Sequence, residues 1–146
     1  MRKEIYNMLC ERLGKIPEIK YIDMWNHNVE FIEQEDNWER PAVFVEFGSI
    51  DWEATVPGVR YVTEAKVNLH VVTDWIGSSA ADSEQREESL QVFDLLEKIL
   101  TALADVNGEH FREFDISGST TNHNHEEILE NIETYSYVGY RELSQH

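Results

Sequence analysis

The run VFVEFGSIDWEATVPGVRYVTEAKVNLHVV, residues 43–72, decides the fold. Near its middle, Pro57-Gly58 fits the two central positions of a type II turn, where Pro presets φ and Gly supplies φ > 0. Beyond the turn, Tyr61, Thr63, Ala65, Val67, Leu69 and Val71 share one parity, and Glu64, Lys66, Asn68, His70 and Asp74 share the other. Such alternation marks a half-buried strand. Before the turn, Val43, Val45 and Phe47 are odd-numbered whereas Ile50, Trp52 and Ala54 are even, so a regular strand would send one trio into water. One extra residue near Gly48-Ser49, a β-bulge, resolves the conflict. The reading predicts Val43, Val45 and Phe47 opposite Val71, Leu69 and Val67. It places Ile50, Trp52 and Ala54 opposite Ala65, Thr63 and Tyr61, with all six residues of the first arm facing the helices. His70, on the polar face near Glu46 or Phe44, reads as a surface histidine.

Around this hairpin the remaining elements fall into place. A helix is expected from Arg2 to Leu13, since Ile5, Leu9 and Leu13 recur at i, i+4, i+8, with Gly14 at the C′ position and Pro17 barring continuation. Residues 19–25 read as a strand, with Ile19, Tyr21 and Trp25 alternating against Lys20 and Asp23. Residues 26–40 are polar and acidic and read as a loop. A longer helix is expected over 83–104, its stripe traced by Leu90, Phe93, Leu96 or Glu97, Leu100 and Leu103 and widened by Ile99. Asp82 or Ser83 can cap it, and Asn107-Gly108 closes it. Two strands follow, over 111–116 and 132–141. Strands and helices do not alternate regularly, which disfavours a parallel doubly-wound fold. The expected class is α+β: a single domain over residues 1–146, with a mainly antiparallel sheet of four to five strands and two helices packed on one face.

Composition bounds the function. Twelve Lys and Arg stand against 29 Asp and Glu, a formal net charge of −17. Nucleic-acid readers need clustered cations, and docking on an anionic membrane needs them too, so neither partner is expected. The single Cys10 excludes an internal disulfide framework and reads as a small packed hydrophobe. No G-x-S-x-G, H-E-x-x-H or phosphate-cradling glycine loop is present, and neither an enzymatic activity nor a cofactor is expected. Trp25, Trp38, Trp52 and Trp75 lie at strand ends or in loops, where they close the core or anchor a subunit interface. The alternative to a non-enzymatic role is a metal-dependent enzyme or small-ligand binder built on His123, His125 and Glu126, with Glu127 as a further oxygen donor. Two imidazoles at i, i+2 on a strand share a face. A polar turn context and the lack of further ligands argue that no metal is held there.

The order of elements carries a resemblance. The N-terminal helix runs into Ile19-Lys20-Tyr21-Ile22, followed by Arg40-Pro41-Ala42-Val43-Phe44-Val45-Glu46 and Ala65-Lys66-Val67-Asn68-Leu69-His70-Val71-Val72. Next come the Val92-Phe93-Asp94-Leu95-Leu96 helix and a terminal segment, residues 122–140, that passes from a His/Asn-rich turn into a Tyr-rich strand. The pattern resembles the minor tail proteins of long-tailed bacteriophages, of the tail-terminator or tail-completion type encoded by phages and prophages. The resemblance implies helices against an antiparallel sheet and a hexameric ring that caps the tail tube and offers the head a docking surface. Implied partners are the chain itself, the tail-tube protein and head–tail connector proteins; the implied location is the virion tail, or the host bacterial cytoplasm during assembly. It implies no catalytic residues.

Overall fold

The computed structural model describes residues 1–26, 38–54, 56–77, 79–123 and 128–143. Helix α1 spans Arg2–Leu13, and Ile5, Leu9 and Leu13 are fully buried along one stripe. Gly14 follows it in a right-handed conformation (φ −64), so the expected left-handed cap is not used. Then come β1 (Tyr21–Met24), β2 (Ala42–Phe47), β3 (Val59–Asp74), α2 (Arg86–Ser89), α3 (Gln91–Ala102), β4 (Phe111–Asn122) and β5 (Ile128–Glu142). The strands form one sheet in the order β1-β2-β3-β5-β4. Strand β1 runs parallel to β2 and every other pair is antiparallel, so the protein is α+β with a mixed, mostly antiparallel sheet.

The main core joins Ile5, Leu9 and Leu13 of α1 to Leu95, Ile99 and Leu103 of the α3 region and to Val43, Val45, Val67, Leu69, Val71, Tyr135 and Tyr137 of the sheet. Each such aliphatic side chain contributes about 1.5–3 kcal/mol through burial. A smaller cluster forms from Ala42, Phe44, Val72 and Ile128, against which Tyr21, Trp25 and Trp38 pack. Strand alternation separates the two clusters: Val43 and Val45 belong to the first, Ala42 and Phe44 to the second. Of the tryptophans, Trp52 packs on the main core, while Trp75 is 54% exposed.

The long hairpin departs from expectation in an instructive way. Its turn is of the expected kind, with Gly58 at φ 81 and Val59 N–H donating to Val56 O. The pairs Val43↔Val71, Val45↔Leu69 and Phe47↔Val67 form as predicted, and the ladder leaves off at Phe47. The first arm then rejoins at a bridge between Glu53 and Tyr61, six residues on from Phe47 and six back from Val67. No residue has been inserted in that arm, and the predicted pairs of Ile50, Trp52 and Ala54 do not form. The parity change sits in β3 instead, where the register with β5 shifts between Val62 and Ala65. Thr63 and Glu64 are both exposed there, so Val62 rather than Tyr61 or Thr63 enters the core. Ile50 and Trp52 still pack on the core, whereas Ala54 is exposed.

The second helix is divided and turned. A break at Leu90 separates α2 from α3, and the buried stripe is Val92, Leu95 and Ile99, continued by Leu103. Phe93, expected inside, is 55% exposed. The i, i+4, i+8 row of Leu95, Ile99 and Leu103 sets the phase, and Phe93 lies off it. The chain exits through Asp105 at φ 55, not through Asn107-Gly108. Strands β4 and β5 both run further than predicted and form a second long hairpin, with register shifts between Arg112 and Asp115 and between Ile116 and Gly118.

Candidate functional site

The densest polar chemistry lies on the sheet beside the smaller cluster. His70 on β3 is 5% exposed, which corrects its reading as a surface residue. Register explains its surroundings. Phe44 pairs with His70, which brings Glu46 of β2 to its side, and Glu130 of β5 approaches from the other neighbour. Nε2 of His70 lies 3.0 Å from Glu46 Oε1, and Nδ1 lies 2.6 Å from Glu130 Oε2. A neutral imidazole donates through only one nitrogen, so satisfying both carboxylates calls for the imidazolium. Burial opposes that charge, yet the hydrogen bonds to Glu130 and Glu46 outweigh it and raise the His70 pKa above its ordinary value. For Glu46, burial raises the pKa, but hydrogen bonds from His70 and Asn68 prevail and lower it.

The network extends outward. Asn122 donates to Glu130 Oε1 at 2.6 Å, Asn68 donates to Glu46, and Thr134 donates to Asn68 Oδ1 at 2.7 Å. The stacked indole of Trp25 covers His70. Nearby, Tyr21, Trp38 and Phe44 pack edge and face, with the Arg40 guanidinium 5.6 Å from the Trp38 ring and ion-paired to Asp74. An imidazolium with both nitrogens donating holds no lone pair for a proton or a metal. The arrangement ties β2, β3 and β5 together through the buried His70 ring.

Two further places bear on ligand binding. His123, at the end of β4, is exposed; His125, Glu126 and Glu127 lie outside the described residues. The expectation about a metal at that cluster thus falls outside them. Among the described residues, Glu4, Glu109 and His110 have ligand atoms within 4.8 Å of one another. Glu4 already engages both oxygens with His110, at 3.0 Å to the backbone N–H and 2.9 Å to Nδ1, so a cation would have to displace the latter bond. The burial of Glu4 raises its pKa, but these two bonds outweigh it, and the net shift is downward.

An opening of about 620 Å³ is bordered by Arg2, Lys3, Trp52, His110, Arg141, Glu142 and Leu143. Arg141 lies 5.8 Å from the Trp52 ring centre. Sequence reading passed over this site because its cations come from the two ends of the chain. Cys10 is half-buried on α1, in keeping with a packing role. No helix among the described residues is long and apolar enough to cross a membrane. No known protein family and no curated protein matches the chain.

Proposed function

We propose that this chain is a structural assembly protein of the tail-terminator or tail-completion kind, acting through contacts between subunits rather than through chemistry. The observation that carries the reading is the element order α1, β1, β2, β3, α2, α3, β4, β5 in a mixed, mostly antiparallel sheet, which supports the resemblance set out from the sequence. The Glu46–His70–Glu130 network agrees with it, because its polar atoms bind one another across β2, β3 and β5. In this reading the working form is a homo-oligomeric ring, of six by the resemblance, stacked on the tail-tube protein and facing the head–tail connector. It acts in the virion tail after assembly in the bacterial cytoplasm. Rings are built from heterologous contacts, one patch meeting a different patch.

The test is light scattering of the purified protein with and without purified tail tubes. Binding to tube ends as a defined multiple of the chain is expected. A strict monomer that also fails to bind tube ends overturns the reading.

A further inference from the structure

A pocket lined by cations lies at one end of the sheet, and a run of exposed carboxylates lies at the other. Strand β3 pairs with β5 from Val59↔Glu142 at one end to Asp74↔Ile128 at the other. Sixteen residues of strand separate those ends by roughly 50 Å. At the first end, the pocket is bordered by Arg2, Lys3 and Arg141 against the single carboxylate of Glu142, and Arg60 pairs with Arg141 across the strands. Four of the chain's 12 cationic residues are thus gathered at one end of a protein of net charge −17. Arg2, Lys3 and Arg141 are exposed, and none of them forms an ion pair among the described residues. Glu4, the nearest carboxylate on α1, is engaged by His110. Trp52 and Leu143 add apolar surface to the pocket's lining.

The opposite end is acidic. The segment leading into and through α2 places Asp82, Glu84, Glu87 and Glu88 in seven residues with Arg86 as the only cation, and all five are exposed. Glu88 borders a second opening, of about 490 Å³, together with Asp74 and Thr73 of β3 and Leu129 of β5, which fixes this segment at the Asp74 end.

We infer that the Arg2–Lys3–Arg141 pocket receives the acidic 82–88 segment of a second copy of this chain, joining subunits head to tail. The inference rests on the assembly reading and names its contact. Charge complementarity selects the occupant: the cations of the pocket call for an anionic partner, and the chain's own far end supplies exposed carboxylates. The contact is heterologous, as a ring or filament requires, and it turns a strong net repulsion into a local attraction.

Two opposed electrostatic effects give the contact a signature. Long-range repulsion between like-charged chains is screened first, as the Debye length shrinks from ~30 Å at 0.01 M salt to ~8 Å at 0.15 M. Contact pairs between the poles weaken only as it approaches ~3 Å near 1 M. Association is expected to rise and then fall across that series.

The experiment compares the full-length wild type with two neutralised variants by light scattering and sedimentation. One carries Arg2→Gln, Lys3→Gln and Arg141→Gln, the other Glu84→Gln, Glu87→Gln and Glu88→Gln. All six sites are exposed, and equal melting temperatures check that both variants fold. Each variant alone is expected to self-associate at least about tenfold more weakly than wild type, as loss of several partly screened charge pairs implies. A mixture of the two retains one intact contact and is expected to stop at a 1:1 dimer. If wild type associates and the variants match it, the charged poles are not the contact, while the assembly reading stands. If wild type stays monomeric at every salt concentration and ignores tube ends, the assembly reading itself fails. Binding of a short DNA duplex that is lost only in the Arg/Lys variant, without self-association, assigns the pocket to nucleic acid and overturns the inference.

Discussion

The indole of Trp25 lies flat on the imidazole of His70, with ring centroids 3.8 Å apart and planes 3° from parallel. Held between Glu46 and Glu130, the ring is favoured in its protonated form, and an imidazolium there rests on an aromatic face, an attraction strengthened by burial. Glu46 from β2, Glu130 from β5 and Trp25 beyond β1 are the groups that surround it.

This arrangement makes stability depend on pH with a definite sign. The folded pKa of His70 is raised, so its contribution is fully present below the unfolded value of ~6.5 and is lost as pH climbs through the folded value. Glu46 is shifted downward, so its contribution is present above the ordinary carboxylate range and is lost as pH falls through the depressed value. The melting temperature is expected to be highest between those two ranges and to decline above pH 6.5. For one proton the slope is at most ~1.4 kcal/mol per pH unit. His70→Gln should flatten the alkaline decline. Identical pH profiles for wild type and variant between pH 6 and 9 would count against the imidazolium.

Removing one partner of the buried His70–Glu130 pair is expected to cost far more than removing both together. Glu130 is 1% exposed, and Glu130→Ala leaves a buried imidazolium short of a carboxylate. The expected loss is about 3–5 kcal/mol by urea unfolding. The double replacement His70→Leu with Glu130→Met removes the charges together and should cost much less than the sum of the two single changes. Strict additivity would show that the two residues are not energetically linked.

The phase of α3 yields a paired test. Ile99 is fully buried, whereas Phe93 is 55% exposed. Ile99→Ala is expected to cost about 2–5 kcal/mol through lost burial and a residual cavity. Phe93→Ser should stay within about 0.5 kcal/mol of wild type, as changes at open surface do. Equal costs at the two positions would restore the stripe read from Leu90, Phe93 and Leu100.

How much of this was legible follows from where the deciding information sits. The pairing of Val43 with Val71 needs only the Pro57-Gly58 turn and a count of parity outward, both local. Parity alone cannot say which arm absorbs the mismatch. Thr63 has a strand-favouring side chain, and only its pairing partner β5 reveals that Thr63 and Glu64 form the irregular point. The outer half of β4, Ser-Gly-Ser-Thr-Thr-Asn at 117–122, reads as loop because Gly, Ser and Asn favour turns, yet the ladder to β5 overrides that preference. Glu130 was illegible for a different reason. Nothing near it in sequence distinguishes it from the rest of the 29 acidic residues, and its partner His70 lies sixty positions away. The cationic pocket is similarly non-local, since Arg2 and Arg141 meet only once β5 returns beside the start of α1.

The hydroxyl of Tyr137 is buried in the core. Tyr137 on β5 is 1% exposed and packs against Phe111, at 6.5 Å and 80°, and against Phe114, at 6.1 Å and 26°. Its hydroxyl has no hydrogen-bond partner among the described residues. Burial pushes its pKa up to about 12, against a smaller opposing effect of Arg2. A buried hydroxyl without a partner costs about 1–3 kcal/mol, and removing it while keeping the ring preserves both aromatic contacts. Tyr137→Phe is therefore expected to raise the urea midpoint, by about 1 kcal/mol of stability, with an unchanged denaturant slope. Tyr137→Ala, which removes the ring as well, should lose about 3–5 kcal/mol. A Phe variant less stable than wild type by 1 kcal/mol would show that the hydroxyl does make a bond in the folded protein, and the gain expected here would then be wrong in sign.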